Sequence, residues 1–255
     1  MRTNCFVINL ATADKRRLFM TEQLASLPEL EVSFFAAIDG RCLDEDELAC
    51  LYDEAGARQV ADHPLTRGEI GCALSHLGVY RRIVEENLPA ALVLEDDAWF
   101  GPGFPEALEA SRLQLPVDQP RIILFTHVRS VSRHQTVTLN PGHRLCQVTR
   151  GAWLARAYLI NQAAARILAK QLMPVRMPAD YWSVCLRNGW TEVWAVVPYC
   201  VSDSPEGKNH STITPGNIER RGPALSWLAR LRGRLNLGDR IRQWLGLEER
   251  QDKTW

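Results

Sequence analysis

Apolar positions in this chain fall into two rhythms. Short apolar runs at Cys5–Leu10, Val32–Ala37, Ala90–Leu94, Arg121–Phe125 and Glu192–Val201 have the length of buried strands, and Gly151–Ile160 is expected to contain another. Between them lie stretches with apolar residues three and four apart. Ala13–Leu27 carries Leu18, Phe19, Leu24 and Leu27 at helical spacing, and Leu43–Ala57 reads as an acidic surface helix. Asp39-Gly40 marks a turn after the second strand. Thr66 opens the clearest helix. Glu69 completes a capping box with it, in which each side chain satisfies an orphan N–H of the first turn. Ile70, Ala73, Leu74, Leu77 and Val84 form that helix's buried stripe, with Ser75 and His76 off it. It should end near Asn87-Leu88-Pro89.

Asn161–Leu172 reads as a further helix with Asn161 as N-cap. Pro174–Pro178 breaks the chain before Ala179-Asp180-Tyr181-Trp182, and the polar stretch Arg129–His143 is expected to be a flexible loop. Strands alternating with helices predict an α/β sandwich on a mostly parallel sheet.

The pattern changes from residue 223. Leu225, Trp227, Leu228, Leu231, Leu235, Ile241, Trp244 and Leu245 interleave with Arg230, Arg232, Arg234, Arg240 and Arg242. This defines an expected unit at 1–219 and a basic amphipathic helical tail at 220–255. The tail suits either an anionic membrane surface, through residues 223–247, or packing on the domain.

Charge sharpens this division. Lys+Arg and Asp+Glu balance at 30 each, but residues 220–255 hold nine basic against four acidic groups. The body is therefore acidic, which disfavours nucleic acid as a partner. Seven cysteines without a CxxC pair argue against a disulfide framework and a cysteine-type zinc site. No run approaches the ~20 apolar residues of a membrane span. These features predict a cytoplasmic protein.

The candidate chemistry lies where Leu92-Val93-Leu94 runs into Glu95-Asp96-Asp97. Three carboxylates at a strand end repel one another unless a cation lies between them. Glu95 and Asp97 share one face if the strand continues. Ligands of open α/β sheets bind beyond the carboxyl ends of strands. Hard carboxylate oxygens suit Mg²⁺ or Mn²⁺. A solvated acidic turn would look the same. Upstream, Gly68, Gly71 and Gly78 are costly in a helix and permit close approach by a backbone or ligand.

Together, Thr66-Arg-Gly-Glu-Ile-Gly-Cys-Ala-Leu-Ser-His-Leu77 and Leu92-Val-Leu-Glu-Asp-Asp-Ala98 resemble glycosyltransferase family 25, which includes bacterial lipooligosaccharide β-galactosyltransferases. Val7-Ile8-Asn9-Leu10 with Arg16-Arg17, Ala36-Ala37-Ile38-Asp39-Gly40, Ala157–Ile160, Asp180-Tyr181-Trp182 and Ser211-Thr212-Ile213 resemble its other blocks. The resemblance implies a GT-A-like fold, a UDP-sugar donor, a divalent cation and inversion at the anomeric carbon. It places Glu95 and Asp97 at the metal; His210 is a further candidate ligand, because a late histidine completes the metal shell in many GT-A enzymes, although the family resemblance does not fix one here. Asn9, Arg16, Arg17, Asp39, Glu69, Ser75, His76, Asp96 and Lys208 become candidates for the donor pocket. An inverting transfer needs a general base, and Asp180 is the candidate. Competing roles remain for several of these: Asp180 as helix N-cap, Glu69 as capping-box partner, His76 as a structural hydrogen-bonder, Asp39 as a turn residue. The expected activity is hexosyl transfer, with galactose first, to a lipopolysaccharide or related glycolipid or oligosaccharide acceptor. A metal-dependent phosphoesterase and a non-catalytic glycan-assembly protein are the alternatives.

Overall fold

A computed structural model describes residues 2–203 and 246–251. The elements follow one another as β1 (Thr3–Asn9), α1 (Asp14–Leu24), β2 (Leu30–Ala36), a 3₁₀ turn (Gly40–Cys42), α2 (Glu45–Leu51), α3 (Glu54–Val60), α4 (Arg67–Glu85), β3 (Ala90–Glu95), β4 (Ala98–Phe100) and α5 (Phe104–Leu113). Then come β5 (Arg121–Leu124), β6 (Val128–Asn140), β7 (His143–Ala152), β8 (Ala157–Asn161), α6 (Gln162–Gln171), α7 (Trp182–Arg187), β9 (Glu192–Val197), β10 (Val201–Asp203) and β11 (Glu248–Arg250).

Among the described residues, nine strands form one sheet in the order β11-β6-β7-β9-β5-β8-β3-β1-β2. Strands β1, β2 and β3 pair in parallel, as do β5 and β9, while β8, β7 and β11 run against their neighbours. Six of the nine thus point one way, which gives the expected α/β sandwich its dominant parallel direction. Strand alternation sends Phe6, Ile8 and Val93 into the core shared with α4, α6 and α7. Cys5, Val7, Leu92 and Leu94 enter the opposite core, with Met20 of α1 and Phe104 of α5. Residues 91–94 of β3 are fully buried. That burial, worth about 1.5–3 kcal/mol for each large side chain, anchors the strand whose end carries the acidic triplet.

The clearest helix forms as its sequence predicts, from Thr66 with both halves of the capping box in place. Elsewhere the structure corrects the reading. The acidic stretch after residue 43 is two short helices, broken at Tyr52-Asp53, and Asp44 and Asp53 each cap one. Arg129–His143 is no loop: Val128–Asn140 and His143–Ala152 form a long hairpin. Residues 134–138 of that hairpin are exposed, so no apolar alternation betrayed it. Ser75 and His76 are buried rather than lateral, because α4 is covered on two sides. In the tail, Glu248–Arg250 forms an edge strand on β6, and Arg150 binds Glu248 at 2.6 Å. Residues 220–245 and 252–255 of the expected amphipathic tail lie outside the described residues. No described helix is long and apolar enough to cross a membrane.

Candidate functional site

The triplet sits at the carboxyl end of β3, where a cleft is lined by Ile8, Arg16, Ile38, Asp39, Gly40, Arg41, Cys72, Ser75, Glu95, Asp96 and Asp97, among others. Its far wall depends on two glycines. A Cβ at Gly40 would fall 1.8 Å from the Arg67 carbonyl oxygen, and one at Gly71 would fall 2.5 Å from both the Gly40 nitrogen and the Ile38 oxygen. Only their absence lets the 38–40 segment lie against α4. Ser75 fixes the same contact, accepting from Ile38 N–H at 2.8 Å and donating to the Gly71 carbonyl at 2.6 Å.

Each member of the triplet has its own partner. Asp96, nearly buried, accepts from Asn9 Nδ2 at 2.9 Å and pairs with Arg16 at 2.7 Å. Glu95 Oε1 lies 3.3 Å from His76 Nε2, and His76 Nδ1 lies 2.7 Å from the Tyr158 hydroxyl, which meets the Tyr80 hydroxyl at 2.9 Å. A carboxylate only accepts, so His76 Nε2 carries the hydrogen of that bond. Asp97 Oδ1 accepts from Arg156 Nε at 3.0 Å, and Arg156 also pairs with Asp203.

These partners set the charges apart. Burial pushes the Glu95 carboxyl up, but the His76 hydrogen bond and the positive charges of His76, Arg156 and Arg16 hold it below its ordinary value. Burial and the neighbouring Glu95 push Asp97 up despite Arg156. Asp180 is also raised, first by burial and then by the charge of Glu95, against a hydrogen bond from Leu154 N–H at 3.2 Å. Asp180 therefore lies within electrostatic reach of Glu95 and His76.

Several sequence expectations change here. Asp180 is not the N-cap of α7: Tyr181 holds that position without a side-chain cap bond. Arg17 stands outside the cleft, its guanidinium 4.1 Å over the Phe34 ring. Glu69 bonds Thr66 in the capping box and does not line the cleft. Asp39 lines it but is engaged by Arg41 and caps the 3₁₀ turn. Lys208 and His210 lie outside the described residues. Arg156, Cys72, Tyr158 and Leu154 escaped the sequence reading. Arg156 had one signal, a basic residue immediately before a buried strand.

The donor set fits a hard divalent cation. Among the described residues, Glu95 Oε2 and Asp97 Oδ2 engage in no hydrogen bond, leaving two carboxylate oxygens for Mg²⁺ or Mn²⁺. Cys72, His76 and Glu95 also place ligand atoms within 4.8 Å of one another. Burial and the surrounding carboxylates raise the Cys72 thiol, which opposes the thiolate form a metal requires.

Fold and site define an α/β protein with an arginine-flanked acidic cleft at the carboxyl edge of its sheet. Residues 2–183 match the family model described as glycosyltransferase family 25 (LPS biosynthesis protein), and the chain belongs to that family. It is 38% identical over 120 residues to human procollagen galactosyltransferase 2, covering 46% of this chain and 19% of that protein. It is 30% identical to a glycosyltransferase 25 family member of Aedes aegypti, covering 75% and 32%. Similarity to the mouse inactive glycosyltransferase 25 family member 3 is 33%, covering 69% and 30%. The chain thus spans a third or less of the length of these curated relatives.

Proposed function

We propose that this chain transfers a hexose, galactose in the first instance, from a UDP-sugar to a hydroxyl of a lipopolysaccharide-like or related surface glycan, with inversion at the anomeric carbon. One observation carries the reading: Leu154, whose N–H holds Asp180 at 3.2 Å, lies two residues before Arg156, which binds Asp97 of the triplet at 3.0 Å. A donor-binding end and a candidate base are therefore tied to one short segment of chain.

Glu95 and Asp97 are the residues to hold Mn²⁺ or Mg²⁺, whose chemistry is to neutralise charge on the departing diphosphate. Arg16, anchored on Asp96, adds a guanidinium to the same cleft. Asp96 is thereby a positioning group rather than a ligand. Asn9 orients Asp96, and Ser75 holds the Ile38–Gly40 wall. Asp180 Oδ2 is held by Leu154 N–H, and the other oxygen takes the proton from the acceptor hydroxyl as it attacks. The raised proton affinity of Asp180 suits a base better than an ordinary surface aspartate.

The galactosyltransferase names of relatives support galactose as donor sugar. The seven free cysteines support a cytoplasmic setting. The basic residues of 223–247 support contact with an anionic membrane face. The test is UDP release by the purified protein with UDP-galactose and Mn²⁺, with and without glycan acceptor. Absence of both binding and turnover with every UDP-hexose would overturn the proposal.

A further inference from the structure

A second groove lies between the β6–β7 hairpin and α7, with a volume of about 1010 Å³. That is at the upper end of the roughly 300–1,000 Å³ found for ligand pockets. Its lining is basic: Arg129, Arg150 and Arg187 face a single described carboxylate, Glu248. Glu248 is buried and bound to Arg150 at 2.6 Å. Arg129 and Arg187 are exposed and make no ion pair among the described residues. The groove therefore keeps a positive surplus inside an otherwise acidic body.

It also presents an aromatic face. Trp153 is 45% exposed, unusual for the largest side chain in the repertoire. Its position is not accidental. Gly151 has φ +65°, and a Cβ there would come within 3.0 Å of the Trp153 ring and 2.4 Å of the Arg129 Cβ. The bare backbone at 151 lets the indole and Arg129 crowd into one patch. Aromatic faces pack on the apolar faces of sugar rings, and guanidinium groups pair with carboxylate or phosphate oxygens.

The groove is tied to the candidate base. Leu154, next to Trp153, has φ +91°, a conformation non-glycine residues rarely adopt. Three bonds hold it there: its N–H donates to Asp180 Oδ2 at 3.2 Å, and its carbonyl accepts from Trp182 Nε1 at 3.1 Å and Thr126 Oγ1 at 3.4 Å. Strain held by converging contacts marks a geometry the fold over-determines. Two residues later, Arg156 grips Asp97. One short segment thus runs from the groove past the base to the triplet.

We propose that this groove receives the acceptor as an anionic saccharide, with Trp153 under a sugar ring and Arg129 and Arg187 on its carboxylate or phosphate groups. The assignment of an acceptor rests on the transferase reading above; the binding itself does not. Calorimetric titration of the full chain without donor tests it, using trigalacturonate, maltotriose phosphate and neutral maltotriose as probes. At low salt at least one charged probe should bind about fivefold or more tighter than maltotriose, the gain two exposed charge contacts provide. That preference should disappear at high salt and in the Arg129→Ser, Arg187→Ser double variant, and Trp153→Ala should weaken charged and neutral probes alike. The carboxylate and phosphate arms identify which anion is read. Equal binding of charged and neutral probes, no binding of either charged probe, or a preference that survives the double variant would overturn the inference. UDP-galactose titration of the same preparation reports separately on the donor cleft, so either reading can fail alone.

Discussion

Arg156 and Asp97 meet at 3.0 Å, Nε to Oδ1, with both side chains largely removed from solvent. One of the two carboxylates expected from the sequence to hold the metal is thus already paired with a protein cation. The guanidinium lets Glu95 and Asp97 stand at one strand end before any cation arrives. Replacing it should expose their repulsion. Arg156→Met is expected to cost roughly 3 kcal/mol, in the range found when one partner of a buried pair is removed. Urea unfolding would show this, and added Mn²⁺ should restore more stability to the variant than to the parent. A variant as stable as the parent without metal would contradict this account.

The pH dependence follows from Asp180. Its proton affinity is raised, by burial first and the Glu95 charge second. As a base it must be unprotonated, so the acid limb of kcat/KM should fall above the ordinary aspartate value of 3.8. Asp180→Asn should remove that limb and reduce turnover about 100-fold or more. Stability runs the other way. The folded state holds this proton more tightly than the unfolded chain does. The group's stabilising contribution is therefore fully present below 3.8 and is lost as pH rises through the raised folded value. A pH–rate profile whose acid limb is unchanged in the variant would remove Asp180 from the mechanism.

Gly71→Ala sets two effects against each other. Alanine gains about 1 kcal/mol over glycine in a helix interior. Its Cβ, however, would come within 2.5 Å of backbone atoms of both Gly40 and Ile38, and backbone cannot swing aside as a flexible side chain can. Overpacking typically costs about 1–3 kcal/mol, so the clash should win. Because Ile38, Asp39 and Gly40 line the cleft, the variant should also raise the KM for the nucleotide sugar more than it lowers kcat. Thermal unfolding and a donor titration check the two halves.

Tyr158 and Tyr80 offer a controlled comparison. Both are buried, and both would lose one hydroxyl on conversion to phenylalanine. Tyr80→Phe removes a single hydrogen bond, worth about 1 kcal/mol. Tyr158→Phe also strands His76 Nδ1, a buried polar atom, which adds about 1–3 kcal/mol. The second variant should therefore be the less stable of the two, and it should loosen the His76 contact to Glu95. Equal melting temperatures would disprove the hydrogen-bonded chain.

What the sequence revealed and what it hid have different physical origins. The buried strand Leu92–Leu94 and the Thr66 helix were legible because local rules decide them: a continuous apolar run, a capping box, a repeated stripe. The β6–β7 hairpin was not, because its far end, residues 133–138, is solvent-exposed and is held by backbone pairing rather than by a buried apolar face. Within the site, the acidic triplet was visible as three adjacent letters. Its electrostatics were not, since Arg16, His76 and Arg156 reach Glu95, Asp96 and Asp97 only through the fold. The misreading of Ser75 and His76 has the same cause. A helical stripe identifies the face turned to the sheet, but not a second face covered by a distant segment. The Leu154 backbone contact to Asp180 leaves no trace in residue type at all.

The reversed direction of β8 has a consequence for how such a protein can diversify. In a wholly parallel sheet, the catalytic rim is supplied only by residues that leave strands. Because β8 runs against β3 and β5, the rim also receives residues that enter a strand, and Arg156 is the last of these. The short lead-in from Trp153 to Arg156 is therefore a compact mutational target. Exchanges there alter the surroundings of both Asp97 and Asp180 while leaving the strands that carry the fold untouched.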